Sequence, residues 1–303
     1  GDCVSPGRLS PGERVNVEIP VRVKSPVTET SIACLVSWKD FDRSQQECDF
    51  TFDLVAQQGN VDWEKLVRRN PYSLEPVQSE ADLVGRKDVL NRLIGTFDSH
   101  TVGSAIVRGQ KRVGKTSIAK TLGSELKGRG FIVVYIEQGD YIDPDPRKTV
   151  AKLGEQLCKR LVREEPRIRH LALPSFTDAL APLADFLDDV MEVLKDRRIV
   201  FILDEFDELP PDLYVRDDLG EALFLSLRSI SSRETIGFLL DRDEKMAHVT
   251  KYRGSKLNKW SDEQVDYFSR AAEWSDYREL VSRPVSSIME YSESALERLY
   301  YYT

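Results

Sequence analysis

Gly109-Gln110-Lys111-Arg112-Val113-Gly114-Lys115-Thr116 fits the pattern G-x-x-x-x-G-K-[ST] in full. Its flanks supply the context such a loop needs. Ser104 to Val107 reads as a short buried strand running into it, and Ser117 to Lys127 as a helix leaving it. The two glycines let the backbone curl until successive N–H groups point at phosphate oxygens, and the helix adds the positive end of its dipole. Lys115 then serves the terminal phosphates, and the Thr116 hydroxyl becomes a ligand for Mg²⁺. By accident such a string arises in roughly 1% of chains of this size. Gly109 to Ser117 is therefore read as a nucleotide-phosphate cradle.

Further along, Ile199-Val200-Phe201-Ile202-Leu203 is an apolar strand that ends in Asp204-Glu205. A buried strand delivers Asp204 to the carboxyl edge of a sheet, where it can hold the Mg²⁺ shell beside Thr116. Glu205 is then placed to orient or deprotonate a water. Many strands end in acids that only cap the next helix, so the pair gains its meaning from the upstream loop. Asp207 and Glu208 read as solvent-facing or capping. Arg242 follows the strand predicted over Thr235 to Leu240. It stands either as a reader of the γ-phosphate or as a surface arginine among Asp241, Asp243, Glu244 and Lys245.

The surrounding rhythm is α/β. Leu83 to Ile94 reads as a helical entry and Phe131 to Ile136 as a strand buried on both faces. Val150, Leu153, Leu157 and Leu161 share one helix face; Leu180, Leu183, Leu187, Met191 and Leu194 share another. Alternating strands and helices predict a parallel sheet flanked by helices, the P-loop NTPase arrangement. Upstream, Val15 to Val23 alternates with polar residues, Ile32 to Trp38 forms a second strand, and Phe50, Phe52 and Leu54 alternate in a third. The expected organisation is a small all-β, sandwich-like module over residues 1–58, a helix (Val61 to Arg69) and Pro71/Pro76 linker over 59–80, and the α/β domain over 81–303.

Composition sets the outer bounds. The chain has 303 residues, 41% hydrophobic and 31% charged, with 51 acids against 43 bases for a net charge of -8. That is a folded, acidic chain, with no positive field to recruit nucleic acid or an anionic membrane. Nucleic acid is accordingly not expected as a partner. No apolar run is long enough to span a bilayer. Cys3, Cys34, Cys48 and Cys158 contain no C-x-x-C pair, and His100, His170 and His248 have no ligand-spaced partners, so neither a zinc module nor a disulfide framework is indicated. Cys34 and Cys48 read as buried reduced thiols. Lys159, Arg160, Arg163, Arg167 and Arg169 read as a solvated helix face, and Tyr291 and Tyr300 to Tyr302 as core or interface.

These motifs resemble one family. Leu83-Val84-Gly85-Arg86 looks like the h-h-G-R entry motif of the STAND class (signal-transduction ATPases with numerous domains), relatives of the AAA+ ATPases. Gly109 to Ser117 is similar to that class's G-Q-R-R-V-G-K-T-S loop, and Asp204-Glu205-Phe206-Asp207-Glu208-Leu209 resembles the acidic Walker B of its bacterial and archaeal members. The resemblance runs from Asn70 to Thr303. It implies an ATP/ADP and Mg²⁺ switch with slow hydrolysis, with Val84, Gly85 and Arg86 around adenine and ribose and Arg242 at the sensor 1 position. It further implies ATP-dependent homo-oligomers, fused effector and sensor domains outside this chain, a cytoplasmic setting and often antiviral defence. The family's winged-helix lid is expected beyond Thr303. A AAA+-like motor and a nucleotide-locked scaffold with negligible turnover are the rival readings.

Overall fold

The computed structural model describes residues 29–40, 43–55, 70–73, 75–210, 213, 218–243 and 257–302. The chain divides into two compact units, residues 1–65 with 288–290 and residues 66–287 with 291–303.

In the first unit β1 (Glu29–Lys39) and β2 (Gln45–Val55) pair antiparallel in unbroken register, from Glu29 opposite Val55 to Lys39 opposite Gln45. Period-2 alternation puts Ile32, Cys34, Val36 and Trp38 on one face with Phe52, Phe50 and Cys48, and leaves Ser31, Ser37, Asp49 and Asp53 on the other. Cys34 and Cys48 therefore share a face at diagonal positions. Both are free thiols, but half-buried where the sequence suggested buried, because a two-stranded sheet cannot cover its own face. The strand expected over Val15 to Val23 and the helix over Val61 to Arg69 lie outside the described residues.

The second unit holds the α/β sheet. Its elements are α1 (Lys87–Phe97), β3 (Ala105–Arg108), α2 (Lys115–Gly128), β4 (Ile132–Glu137), α3 (Pro146–Glu164), α4 (Ala181–Leu194), β5 (Ile199–Asp204), α5 (Asp218–Ile230), β6 (Ile236–Arg242), β7 (Ser261–Gln264), α6 (Trp274–Ser282) and α7 (Glu293–Tyr302). The strands run parallel in the order β4-β5-β6-β3-β7. Alternation splits their side chains between two cores. Val133, Ile202 and Leu239 pack with Leu90 and Phe97 of α1 and Ile118 and Leu122 of α2; Val134, Phe201 and Phe238 pack with Leu157 of α3, Leu187 of α4 and Leu227 of α5. Continuous apolar strands are thus explained by burial on both faces.

Two differences from the sequence reading matter. The entry helix begins at Lys87, because the chain first turns at Gly85 (φ 69°). A fifth strand, β7, pairs along the free edge of β3 and was not foreseen. The strand order also has a consequence for the site: β6 lies between β3 and β5, so the ends of the three strands carry the phosphate loop, Asp241 and Asp204 side by side.

Candidate nucleotide site

The loop leaves β3 and enters α2 as its sequence requires. Gly109 is packed so tightly that a Cβ there would lie 2.2 Å from the Val265 carbonyl oxygen, so only glycine fits beside the end of β7. Arg112 takes a left-handed conformation (φ 69°), and Gly114 (φ 97°) caps α2. Val113 is buried in the core below and anchors the loop from its middle. Lys115 curls back to donate to the Gln110 carbonyl at 3.0 Å, with its ammonium 3.9 Å from Asp241 Oδ1. The Ser117 hydroxyl accepts from the Val77 N–H at 3.3 Å, which ties the segment ahead of α1 to the start of α2.

The acid side is denser than the sequence suggested. Asp204, 1% exposed, faces Thr116, whose Oγ1 donates to its Oδ1 at 3.4 Å, and the Glu205 N–H donates to the same oxygen at 3.1 Å. The Tyr135 hydroxyl of β4 donates to Oδ2. Asp241, 2% exposed, lies against Asp204. Burial first, and then the hydrogen bond and charge of Asp204, raise the Asp241 carboxyl above the ordinary aspartate range. Its Oδ1 accepts no hydrogen bond. Glu205 adopts a left-handed backbone (φ 54°) that turns its side chain out of the strand. Its carboxyl is lifted above the ordinary glutamate range by partial desolvation and then by Asp204 and Glu208, although solvent reaches the side chain.

A hard cation takes oxygen ligands, and the Thr116 hydroxyl, the Asp204 carboxylate and the orphaned Asp241 oxygen fit one. Among the described residues no cluster of three or more His, Cys, Asp or Glu could hold a metal unaided.

Other predicted residues lie elsewhere. Arg242 ends β6 beside Arg108, its register partner on β3, and is 4% exposed; Nε and Nη1 have no hydrogen-bond partner. Desolvation lowers its pKa, and its charged neighbours are Asp262, Arg108 and Asp207. Asp241, not Arg242, is the β6 residue beside Lys115. Arg86 is also buried. It donates to the Asp266 carbonyl at 2.6 Å, pairs with Glu273 at 3.4 Å and stacks over the Phe268 ring at 4.2 Å. Val84 and Gly85 are half-buried beside it, and a Cβ on Gly85 would strike the Phe268 ring at 2.3 Å. Lys111 reaches Glu208 at 3.3 Å, an exposed pair joining the loop to the turn after β5. Arg160 leaves the solvated face expected for it, donating to the Tyr135 carbonyl at 2.8 Å and the Tyr141 hydroxyl at 2.7 Å.

Residues 82–250, more than half of the chain, match the family described as AAA ATPase domain. The chain belongs to that family. Its five-stranded parallel sheet with flanking helices is the AAA+ P-loop fold. Solved structures similar to this AAA ATPase domain include the Aeropyrum pernix ORC2 protein in ADPNP-ADP complexes, at 13% identity and TM-score 0.48 over 72% of this chain and 55% of that one. Cdc6p from Pyrobaculum aerophilum matches at 15% and 0.47 over 70% and 53%. The A. pernix ORC1 protein in complex with DNA matches at 14% and 0.42 over 68% and 50%. The chain spans about half the length of these structures. No curated protein matches it.

Proposed function

We propose that this ATPase domain is the slowly hydrolysing nucleotide switch of a larger STAND-type signalling protein, coupling recognition of a trigger to self-assembly and activation of fused effector domains. The convergence of Lys115, Thr116 and Asp204 at one sheet edge, with Glu205 next in the chain, carries the nucleotide half of this reading. Backbone N–H groups from Gly109 to Ser117 hold the phosphates, and Lys115 exchanges the Gln110 carbonyl for the terminal phosphate. Thr116 and Asp204 would hold Mg²⁺, which when bound neutralises charge on the β- and γ-phosphates. Glu205 takes the proton of the attacking water, and its raised carboxyl pKa makes it a better-matched base than an ordinary glutamate. Arg242 is assigned to the γ-phosphate, and Val84, Gly85 and Arg86 to the adenine and ribose side.

The entry motif and the acidic end of β5 support the STAND assignment. Antiviral defence, a cytoplasmic setting and the fused domains follow from that resemblance alone. Among the described residues no helix is long and apolar enough to cross a membrane. The expectation that nucleic acid is no partner rests on the net charge of -8 and stands against a neighbour solved with DNA; a mobility-shift titration decides it.

The test of the catalytic assignment is Glu205→Gln, which keeps shape and removes the base. Calorimetry should give unchanged ATP affinity while phosphate release falls by about 10²-fold. Turnover equal to wild type would mean that another group activates the water.

A further inference from the structure

Tyr135 plays no part in the scheme above, yet its hydroxyl makes the one side-chain hydrogen bond from β4 to the magnesium carboxylate. We infer that Tyr135 is a positioning residue: it locks Asp204 in the rotamer that receives the cation. The inference rests on the reading of Asp204 as a metal ligand.

The argument begins with register. Tyr135 stands opposite Ile202 on β5, and Glu137 opposite Asp204, so Tyr135 lies two residues back on the same face as Asp204 and reaches forward along the sheet. Asp204 needs such a partner. It is 1% exposed, lies against the Asp241 carboxyl and is followed at once by Glu205, an environment of acids from which a carboxylate turns away unless a donor holds it. Thr116 and the Glu205 N–H occupy Oδ1. The Tyr135 hydroxyl holds Oδ2, so both carboxylate oxygens are fixed.

The donor is itself fixed. Arg160 of α3 grips the Tyr135 carbonyl, and the Lys120 ammonium of α2 lies 5.5 Å from the centre of its ring while pairing with Glu137 at 3.1 Å. Tyr135 is an uncharged donor, so it orients the carboxylate without placing a positive charge where it would repel a cation. A lysine at this position would compete with the metal. Groups that orient metal ligands in this way typically change metal affinity by 10–100-fold when removed.

The test compares wild type with Tyr135→Phe, which deletes one oxygen and keeps the ring. ADP affinity is measured by calorimetry with Mg²⁺ and again with chelator, alongside thermal unfolding of the nucleotide-free protein. The expected result is an about tenfold smaller gain in affinity from Mg²⁺, with a melting temperature close to wild type. An unchanged Mg²⁺ gain in a folded Tyr135→Phe protein overturns the inference. Asp204→Asn separates the two readings. If it removes the Mg²⁺ gain and Tyr135→Phe does not, only the positioning role falls; if neither changes it, the metal assignment of Asp204 falls first. Should Tyr135→Phe fail to fold, fluorotyrosine placed at position 135 gives a second readout. Its ¹⁹F resonance should move when Mg²⁺ is added to the ADP complex, and a stationary resonance overturns the role.

Discussion

Lys115 shows how far one side chain depends on its ligand. Its ammonium is bonded to the Gln110 carbonyl and drawn toward Asp241, a resting position that a phosphate must outcompete. Burial and Asp204 raise the Asp241 carboxyl above the ordinary aspartate range, which weakens its hold on the lysine. Lys115→Ala should therefore weaken ATP binding by tenfold or more, about 1.4 kcal/mol or above, as read by calorimetry. Equal affinities would count against the site as drawn. Lys115, Thr116 and Asp204 were legible in the sequence because each sits in a motif with fixed spacing. Asp241 and Tyr135 were not, since each is one polar residue in or after an apolar strand. Only the strand order, which sets β6 and β4 on either side of β5, gives them meaning. A polar residue breaking an otherwise apolar strand, as Tyr135-Ile136-Glu137 does, was the available signal.

At the scale of elements, the entry loop is a clasp. Arg86 binds the Asp266 carbonyl, Glu273 and the face of Phe268, so the turn before α1 holds the segment between β7 and α6. Trp274 and Tyr277 of α6 then pack on Tyr300 of α7, with ring centres 5.6 and 5.0 Å away. A buried guanidinium loses water on folding, and removing it strands its partners. Arg86→Ala should cost about 3 kcal/mol and raise amide exchange across α6 before the sheet opens. If exchange in α6 stays slow while ADP affinity drops, Arg86 belongs to the adenine side and its clasp is incidental. The elements that were legible, β4, β5 and β6, are mostly apolar and bounded by turns. β7 was invisible because Ser-Asp-Glu-Gln has no apolar alternation; it pairs as an edge strand, with Asp262 and Glu263 bridging to Arg108 and Arg92. Tyr300 packs on α6, while Tyr301 and Tyr302 are 81% and 79% exposed, which leaves the interface alternative open for them.

At the scale of the whole molecule, the choice between a switch and a motor turns on whether triphosphate and diphosphate favour different states, since a ligand shifts an equilibrium only through differential affinity. Arg242 supplies a physical source for that difference. It is a cation 4% exposed, with two guanidinium nitrogens lacking hydrogen-bond partners among the described residues; Asp262 and Asp207 favour its charge and Arg108 opposes it. Such a group is incompletely compensated in the nucleotide-free fold, and on the proposed assignment an anion arriving at the end of β6 offsets the remaining cost. The γ-phosphate is the anion that ATP has and ADP lacks. A non-hydrolysable ATP analogue should then raise the melting temperature more than ADP at equal saturation, and Arg242→Ala should erase the difference while ADP still binds. In the protein at full length, the same substitution should abolish ATP-dependent assembly without abolishing ATP binding, as followed by light scattering with each nucleotide. Slow phosphate release and monomers with ADP complete the expected pattern. Assemblies that form and turn over ATP rapidly with no trigger, unchanged by Arg242→Ala, would make this domain a motor instead.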